Sequence, residues 1–182
     1  MIRKLISMVF KLIYDKSDFV FYTIEHPETS ERLFSEELKC YHDFDSGKAA
    51  FHRILKNWYL QPLFYRFKSG KATLITWEED NEILAYGWLQ SWSPFRRKFG
   101  KIFHDATMLG PYYTHPDHRG KGLYKKLLAY SVSLSPKEKP IAIYTSPENI
   151  SSQKGIEASG FTKMGMYRVR FFFRLYSKVE KL

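Results

Sequence analysis

Cysteine is all but missing from this chain of 182 residues. Cys40 stands alone, which excludes an intrachain disulfide and a cysteine-built zinc site and suits a reducing, cytoplasmic setting. Long apolar runs are missing too: none reaches the roughly 20 residues of a membrane-spanning helix. Met1 to Ile13 is basic and apolar but lacks the small-residue cleavage site of a secretory signal. There is no Gly-x-x-x-x-Gly-Lys-Ser/Thr loop, no third glycine to complete a dinucleotide fingerprint and no Gly-x-Ser-x-Gly elbow, so three common phosphate or nucleophile motifs fall away. No repeat, linker or low-complexity tract divides the chain, and residues 1–182 are read as a single domain. Acidic side chains are scarce relative to basic ones, 19 against 29, a formal charge of +10 that favours phosphorylated or otherwise anionic partners.

What the chain does have is aromatic bulk, 18% of residues within 44% hydrophobic, enough for a packed core at this length. Ile2, Leu5, Ile6, Val9, Phe10 and Ile13 recur at helical spacing, predicting an amphipathic helix over about 1–14 that docks on its own domain or lies on an anionic lipid surface. Asp18 to Glu25 reads as a first strand, and helices are predicted from Ser30 through Leu38 and over Gly47 to Leu60. From Leu63 the period changes to two, giving strands at Phe64 to Lys68, Ala72 to Trp77 and Ile83 to Trp92. The basic loop Ser93 to Gly100 follows, then a strand from Ile102 to Thr114. Gly122 to Leu134 is a helix, Ile141 to Thr145 a buried parallel strand, Ser151 to Ser159 a short helix, and Val169, Phe171, Phe173 and Leu175 alternate as a final strand. The order predicts an α/β (α+β) fold, a mixed and mostly antiparallel sheet flanked by helices.

The most informative stretch runs from Tyr112 to Leu128, where a strand end, a cationic glycine loop and a helix start follow in succession. Main-chain N–H groups and the helix dipole at such an N-terminus attract a diphosphate, and glycines let it approach the backbone. Arg119-Gly120-Lys121-Gly122-Leu123-Tyr124 resembles motif A of the GNAT acyl-CoA-dependent acyltransferases, Gln/Arg-x-x-Gly-x-Gly/Ala after a strand and a Pro-containing turn. A second, independent resemblance is the family's Asn-x-x-Ala/Ser segment followed by Gly-Phe, here Asn149, Ser152, Gly160 and Phe161. The two cover roughly the C-terminal third of the chain.

The resemblance implies acetyl-CoA, or another acyl-CoA, in a cleft between two splayed parallel strands, those ending at Thr114 and at Thr145. Backbone groups of Tyr112 and Thr114 would pair with the pantetheine, N–H groups of Arg119, Gly120, Lys121, Gly122, Leu123 and Tyr124 would hold the pyrophosphate, and Asn149 and Ser152 would touch the cofactor's far arm. Three departures stand out: Tyr124 where the family prefers Gly or Ala, Ile156 where many members carry a thiolate-protonating Tyr, and Met108 where a carboxylate often serves as base. Tyr144, Tyr113 and Tyr167 are the substitute acids to consider, with Asp105 and His104 as the nearest ionisable groups upstream. Tyr144 and Asp105 are the catalytic candidates.

The implied activity is direct transfer of an acetyl or other acyl group to an amine within a ternary complex, through orientation and polarisation of the thioester by an N–H between Leu109 and Tyr113. A nucleotide-linked amino sugar is the acceptor suggested by Trp58, Trp88, Trp92 and Phe95 as stacking platforms beside Arg96, Arg97 and Lys98. The missing Tyr and carboxylate leave a non-catalytic acyl-CoA-binding module as the alternative. His115 and His118 flank Pro116 with no third ligand near, which argues against a metal. The basic residues are dispersed and carry no nucleic-acid motif.

Overall fold

A computed structural model describes residues 14–24, 35–54, 61–172 and 176–182. Its element order is β1 (Tyr14–Ile24), β2 (Leu38–Tyr41), α1 (Phe44–Ile54), α2 (Gln61–Lys68), β3 (Ala72–Glu79), β4 (Glu82–Ser91), α3 (Arg96–Phe99), β5 (Thr107–Leu109), β6 (Tyr113–Thr114), a 3-10 turn at Pro116–His118, α4 (Leu123–Leu134), β7 (Ile141–Thr145), α5 (Ile150–Glu157), β8 (Thr162–Phe172) and β9 (Tyr176–Lys181). The nine strands form one mixed sheet in the order β2-β3-β4-β5-β7-β1-β8-β9, with β6 also on β4. Among the described residues only β5 and β7 run parallel; the other pairings are antiparallel.

Both faces are covered. On one, α4 and α5 pack through Leu123, Leu127, Leu128 and Ile156 onto Ile75, Ala85, Leu109, Ile143 and Val20. On the other, α1 and α2 pack through Phe51, Leu63 and Phe67 onto Leu74, Tyr86 and Trp88, and Phe99 of α3 joins Phe21, Met108 and Ala142. Period-two alternation along β1 sends Val20 and Tyr22 to the first face and Phe21 to the second, all within 2% exposure. This double burial explains the nearly continuous apolar stretch that marked β1 in the sequence.

Several expectations are corrected. Residues 61–68 form a helix where a strand was expected at Phe64 to Lys68: Leu63 and Phe67, one helical turn apart, are both buried, so a helical stripe outweighs the β-propensity of Phe64 and Tyr65. Leu38 opens β2 rather than continuing a helix, paired with Trp77. The expected strand Ile102 to Thr114 is broken: β5 ends at Leu109 and β6 begins at Tyr113. Pro111 between them cannot donate to a ladder. The C-terminus adds a second strand, β9, beyond the one expected. The helix over about 1–14 lies outside the described residues up to Ile13; Tyr14 already belongs to β1. No helix among the described residues is long and apolar enough to cross a membrane.

The β1–β8 seam is fastened by a fork. Asp18 faces Arg168 across the ladder, and its two carboxylate oxygens accept from Nε and Nη2 at 2.8 Å each. The Arg168 hydrogen bond holds the Asp18 carboxyl below its usual range. A depressed folded-state pKa adds stability that is present above the unfolded value and is lost as pH falls through the folded one. Asp18→Asn is therefore expected to lower stability by about 1 kcal/mol at pH 7, and the gap to the parent, followed by chemical denaturation, closes as the pH falls below the ordinary carboxylate range.

Candidate active site

The broken strand creates the site. Through Leu109 the β5–β7 pair is in parallel register, Leu109 opposite Ile143. Beyond it the chain stays with β4: Gly110 N–H donates to the Trp88 carbonyl at 2.7 Å, and Tyr113 and Thr114 pair with Tyr86 and Ala85. Meanwhile β7 continues along β1, with Thr145 opposite Val20. The two strands therefore part after Leu109. Because His115 N–H donates to Leu84 of β4, backbone alternation turns the N–H and C=O groups of Tyr112 and Thr114 away from β4, toward the gap.

Three neighbouring hollows that share lining residues mark that gap. A slot of about 160 Å³ lies between Gly110, Tyr112, Tyr144, Thr145, Asn149 and Ile156. On the α4/α5 side it meets a cleft of about 630 Å³ that also shares Tyr124 and Ser152 with it and extends over Thr114, Arg119, Gly120, Gly122 and Leu123. On the opposite face it meets a cleft of about 370 Å³ that includes Arg66, Gln90, Phe95, Lys98 and Met108. Leu109, Gly110, Pro111 and Tyr144 line both the slot and this second cleft.

The helix end in the large cleft is built for an anion. Gly122 is the N-cap of α4, in the left-handed region at φ 77°, and no side chain caps the helix. The first-turn N–H groups of Leu123, Tyr124 and Lys125 thus have no intrahelical acceptor, and the space where a Gly120 or Gly122 side chain would stand is open. These features fit a diphosphate. Arg119 contributes differently from expectation: its backbone N–H donates to Pro116 and its Nε to the Thr114 carbonyl at 3.2 Å, bracing the loop against the strand end. Lys121 Nζ stands 3.4 Å from His118 Nδ1.

Asn149 is the N-cap of α5, its side-chain oxygen accepting from the Ser152 N–H at 3.1 Å and the Ser151 hydroxyl at 3.0 Å. Asn149 and Ser152 both line the large cleft and the slot. Tyr124 lies edge-on to Tyr112, ring centroids 5.4 Å apart, and above Gly155, where a Cβ would come within 2.7 Å of its ring. Burial raises its pKa, as it does that of Tyr112, whose phenol donates to Ser131 Oγ at 2.8 Å.

The two catalytic candidates separate. Tyr144 lies where the slot meets the second cleft, packed against Phe19, Phe21 and Phe99, and burial raises its phenol pKa while nearby Arg66 opposes the rise. Asp105 precedes β5 at the end away from the gap, ion-paired with Lys139 at 2.8 Å and accepting the Ala106 N–H; it lines none of the three hollows. The Lys139 bond holds its carboxyl below the usual range. Of the other tyrosines considered, Tyr113 lines the large cleft and stacks on Tyr86, while Tyr167 packs on Phe21. Ile156 and Met108 are buried, Met108 against the second cleft. Trp88 and Trp92 are buried at 0% and 3% exposure, so neither offers a free ring face, whereas Phe95 does line the second cleft. Trp58 lies outside the described residues. Arg66 and Gln90 were not singled out in the sequence.

The sequence profile of the Acetyltransferase (GNAT) family matches residues 30–161. No curated protein sequence matches the chain. Among solved structures, it is similar to a GNAT-family acetyltransferase from Colwellia psychrerythraea (TM-score 0.57, 18% identity, 88% of this chain and 57% of that one). It is also similar to a putative GNAT acetyltransferase from Novosphingobium aromaticivorans (0.57, 11%, 92% and 66%). A third likeness is to the aminoglycoside N-acetyltransferase AAC(6')-Iy in complex with CoA (0.53, 18%, 69% and 90%). The chain thus spans 57% and 66% of the length of the first two. These likenesses concern the fold, and β1, β8 and β9 lie beyond the residues the family profile matches.

Proposed function

The chain belongs to the GNAT acetyltransferase family, and on that premise we propose that it transfers an acetyl group from acetyl-CoA directly to an amine held in the second cleft. The observation that carries this reading is the slot: it joins an anion-binding helix end on one face of the sheet to a separate cleft on the other, so donor and acceptor meet only where β5 and β7 part. Acetyl-CoA supplies the activated thioester carbonyl. The uncapped start of α4 holds the diphosphate, and the gap-facing backbone of Tyr112 and Thr114 adds an extended amide chain to the edge of β6.

Among the N–H groups from Leu109 to Tyr113, Leu109 is in register with Ile143 of β7, that of Gly110 is spent on Trp88, Pro111 has none, and Tyr113 is in register with Tyr86. Tyr112 is left to polarise the carbonyl across the slot. As the amine nitrogen bonds to the carbonyl carbon and the C–S bond breaks, the thiolate takes a proton, for which Tyr144 is the donor in reach, and the amine releases one to water. The second cleft gives a nucleotide-linked amino sugar Lys98 as a support, but neither Trp88 nor Trp92, and the buried Phe95 ring is already covered by Arg66.

Thiol release from acetyl-CoA over a panel of amines, alongside native mass spectrometry for retained CoA, tests the reading. Amine-dependent release well above the buffer rate is expected. Buried apolar residues at positions 108 and 156, where acid–base groups stand in relatives, favour a binding module as the second reading; retained CoA with no release on any amine would select it.

A further inference from the structure

Arg66 is a cation held at the second cleft without a carboxylate beside it among the described residues. It projects from α2, with its Cζ 4.7 Å from the centre of the Phe95 ring, and Nη1 donates to Gln90 Oε1 at 2.7 Å. Gln90 is 2% exposed and in turn donates its Nε2 to the Gly110 carbonyl. The guanidinium is thereby tied to the backbone at the point where the strands part. Four of its five N–H donors have no acceptor among the described residues, and no ion pair there includes Arg66. Burial pulls its pKa below the usual guanidinium range, a cost that a bound anion would offset. Lys98 lines the same cleft, and among the described residues no Asp or Glu does. A hollow of about 370 Å³ whose described charged lining is two cations disfavours a purely cationic amine.

We propose that the acceptor is an amine that also carries a carboxylate or phosphate, and that Arg66, oriented by Gln90, binds that anion and fixes the amine toward the slot. The inference rests on the acyl-transfer reading above and deepens it by naming the acceptor class. Arg66 suits the task because its planar fork matches both anions bidentately, and contact with the Phe95 ring uses the guanidinium without consuming an N–H donor. A role limited to bracing α2 against β4 would use the Gln90 bond alone and would not distinguish acceptors by charge.

The test compares matched amines with and without the anion: glycine and glutamate against their amides for the carboxylate arm, glucosamine 6-phosphate against glucosamine for the phosphate arm. Thiol release reads transfer, and calorimetry on the CoA-saturated protein reads binding independently of turnover. In at least one arm the anionic member is expected to exceed its neutral partner by about 10-fold or more in kcat/KM or affinity, whichever arm shows it naming the anion. Arg66→Met should abolish the preference while acetyl-CoA affinity is retained, and Arg66→Lys should keep part of it. Equal handling of charged and neutral amines, no recognition of any anionic member, or an unchanged preference in Arg66→Met would overturn the proposal. Anion-selective binding without thiol release would sink the transfer reading and leave the Arg66 site standing.

Discussion

Gly87→Ala is expected to destabilise the protein by about 3 kcal/mol, at the upper end for overpacking a filled interior, and to take the proposed acetyl-CoA site with it. Gly87 lies in β4, and a Cβ there would come within 2.1 Å of Cε1 and 2.2 Å of Cδ1 of Tyr112. The ring has little freedom to retreat. Its phenol is hydrogen-bonded to Ser131 on α4, Tyr124 meets its edge, and the backbone on either side is fastened by the Gly110 bond to Trp88 and the Tyr113 pairing with Tyr86. Tyr112 thus ties the departing strand to the helix whose N-terminus forms the anion site. Pushing it outward moves both walls of the slot at once. Denaturant unfolding with and without CoA gives the two expected losses. A smaller side chain at position 112 should restore part of the stability, because the three atoms nearest that Cβ all belong to Tyr112. A Gly87→Ala protein that unfolds within about 0.5 kcal/mol of the parent would show that the ring can move at little cost.

What the sequence made legible follows from how local each signal is. The Arg119–Tyr124 loop and the Asn149 cap are short-range structures: a positive-φ glycine at the start of α4 and a side-chain oxygen accepting an N–H three residues on. Both can be read from neighbouring residues. The insertion of β1 between β7 and β8 rests on pairings such as Val20 with Thr145 and Phe21 with Gly165, more than a hundred positions apart, which no period reveals. Phe64 to Lys68 reads as a strand in sequence because Phe64, Tyr65 and Phe67 favour strands as residue types. The contrary signals were Pro62 in the first turn and the four-residue interval from Leu63 to Phe67. That reading hides Arg66, which a strand assignment leaves without a cleft to face. Pro111 was the available warning that the strand to Thr114 would break. Tyr124, which stands where the family prefers Gly or Ala, packs over Gly155, a contact that only the folding of α5 against α4 creates.

Tyr144→Phe is expected to lower kcat by about 100-fold, the lower range for losing a positioned acid, with acetyl-CoA affinity and stability nearly unchanged. The ring itself is structural: its centroid lies 5.1 Å from Phe19 and from Phe99 and 5.4 Å from Phe21, contacts that phenylalanine keeps. What the substitution removes is the hydroxyl, on a side chain that lines both the slot and the acceptor cleft. Burial raises the phenol's pKa, and Arg66 counters that rise in part. With a raised value the proton stays on oxygen at neutral pH, so transfer that depends on it persists as pH increases and fails only above the ordinary tyrosine range. The parent's kcat should therefore show no alkaline loss from this group near neutrality, and the ratio of parent to Tyr144→Phe should stay level from weakly acidic to weakly alkaline pH. Arg66→Met strengthens the comparison, since losing the nearby cation raises the phenol further. A Tyr144→Phe variant within about threefold of the parent in kcat would assign the proton to water or to Tyr124, which also lines the slot, leaving Tyr144 as a wall of that slot.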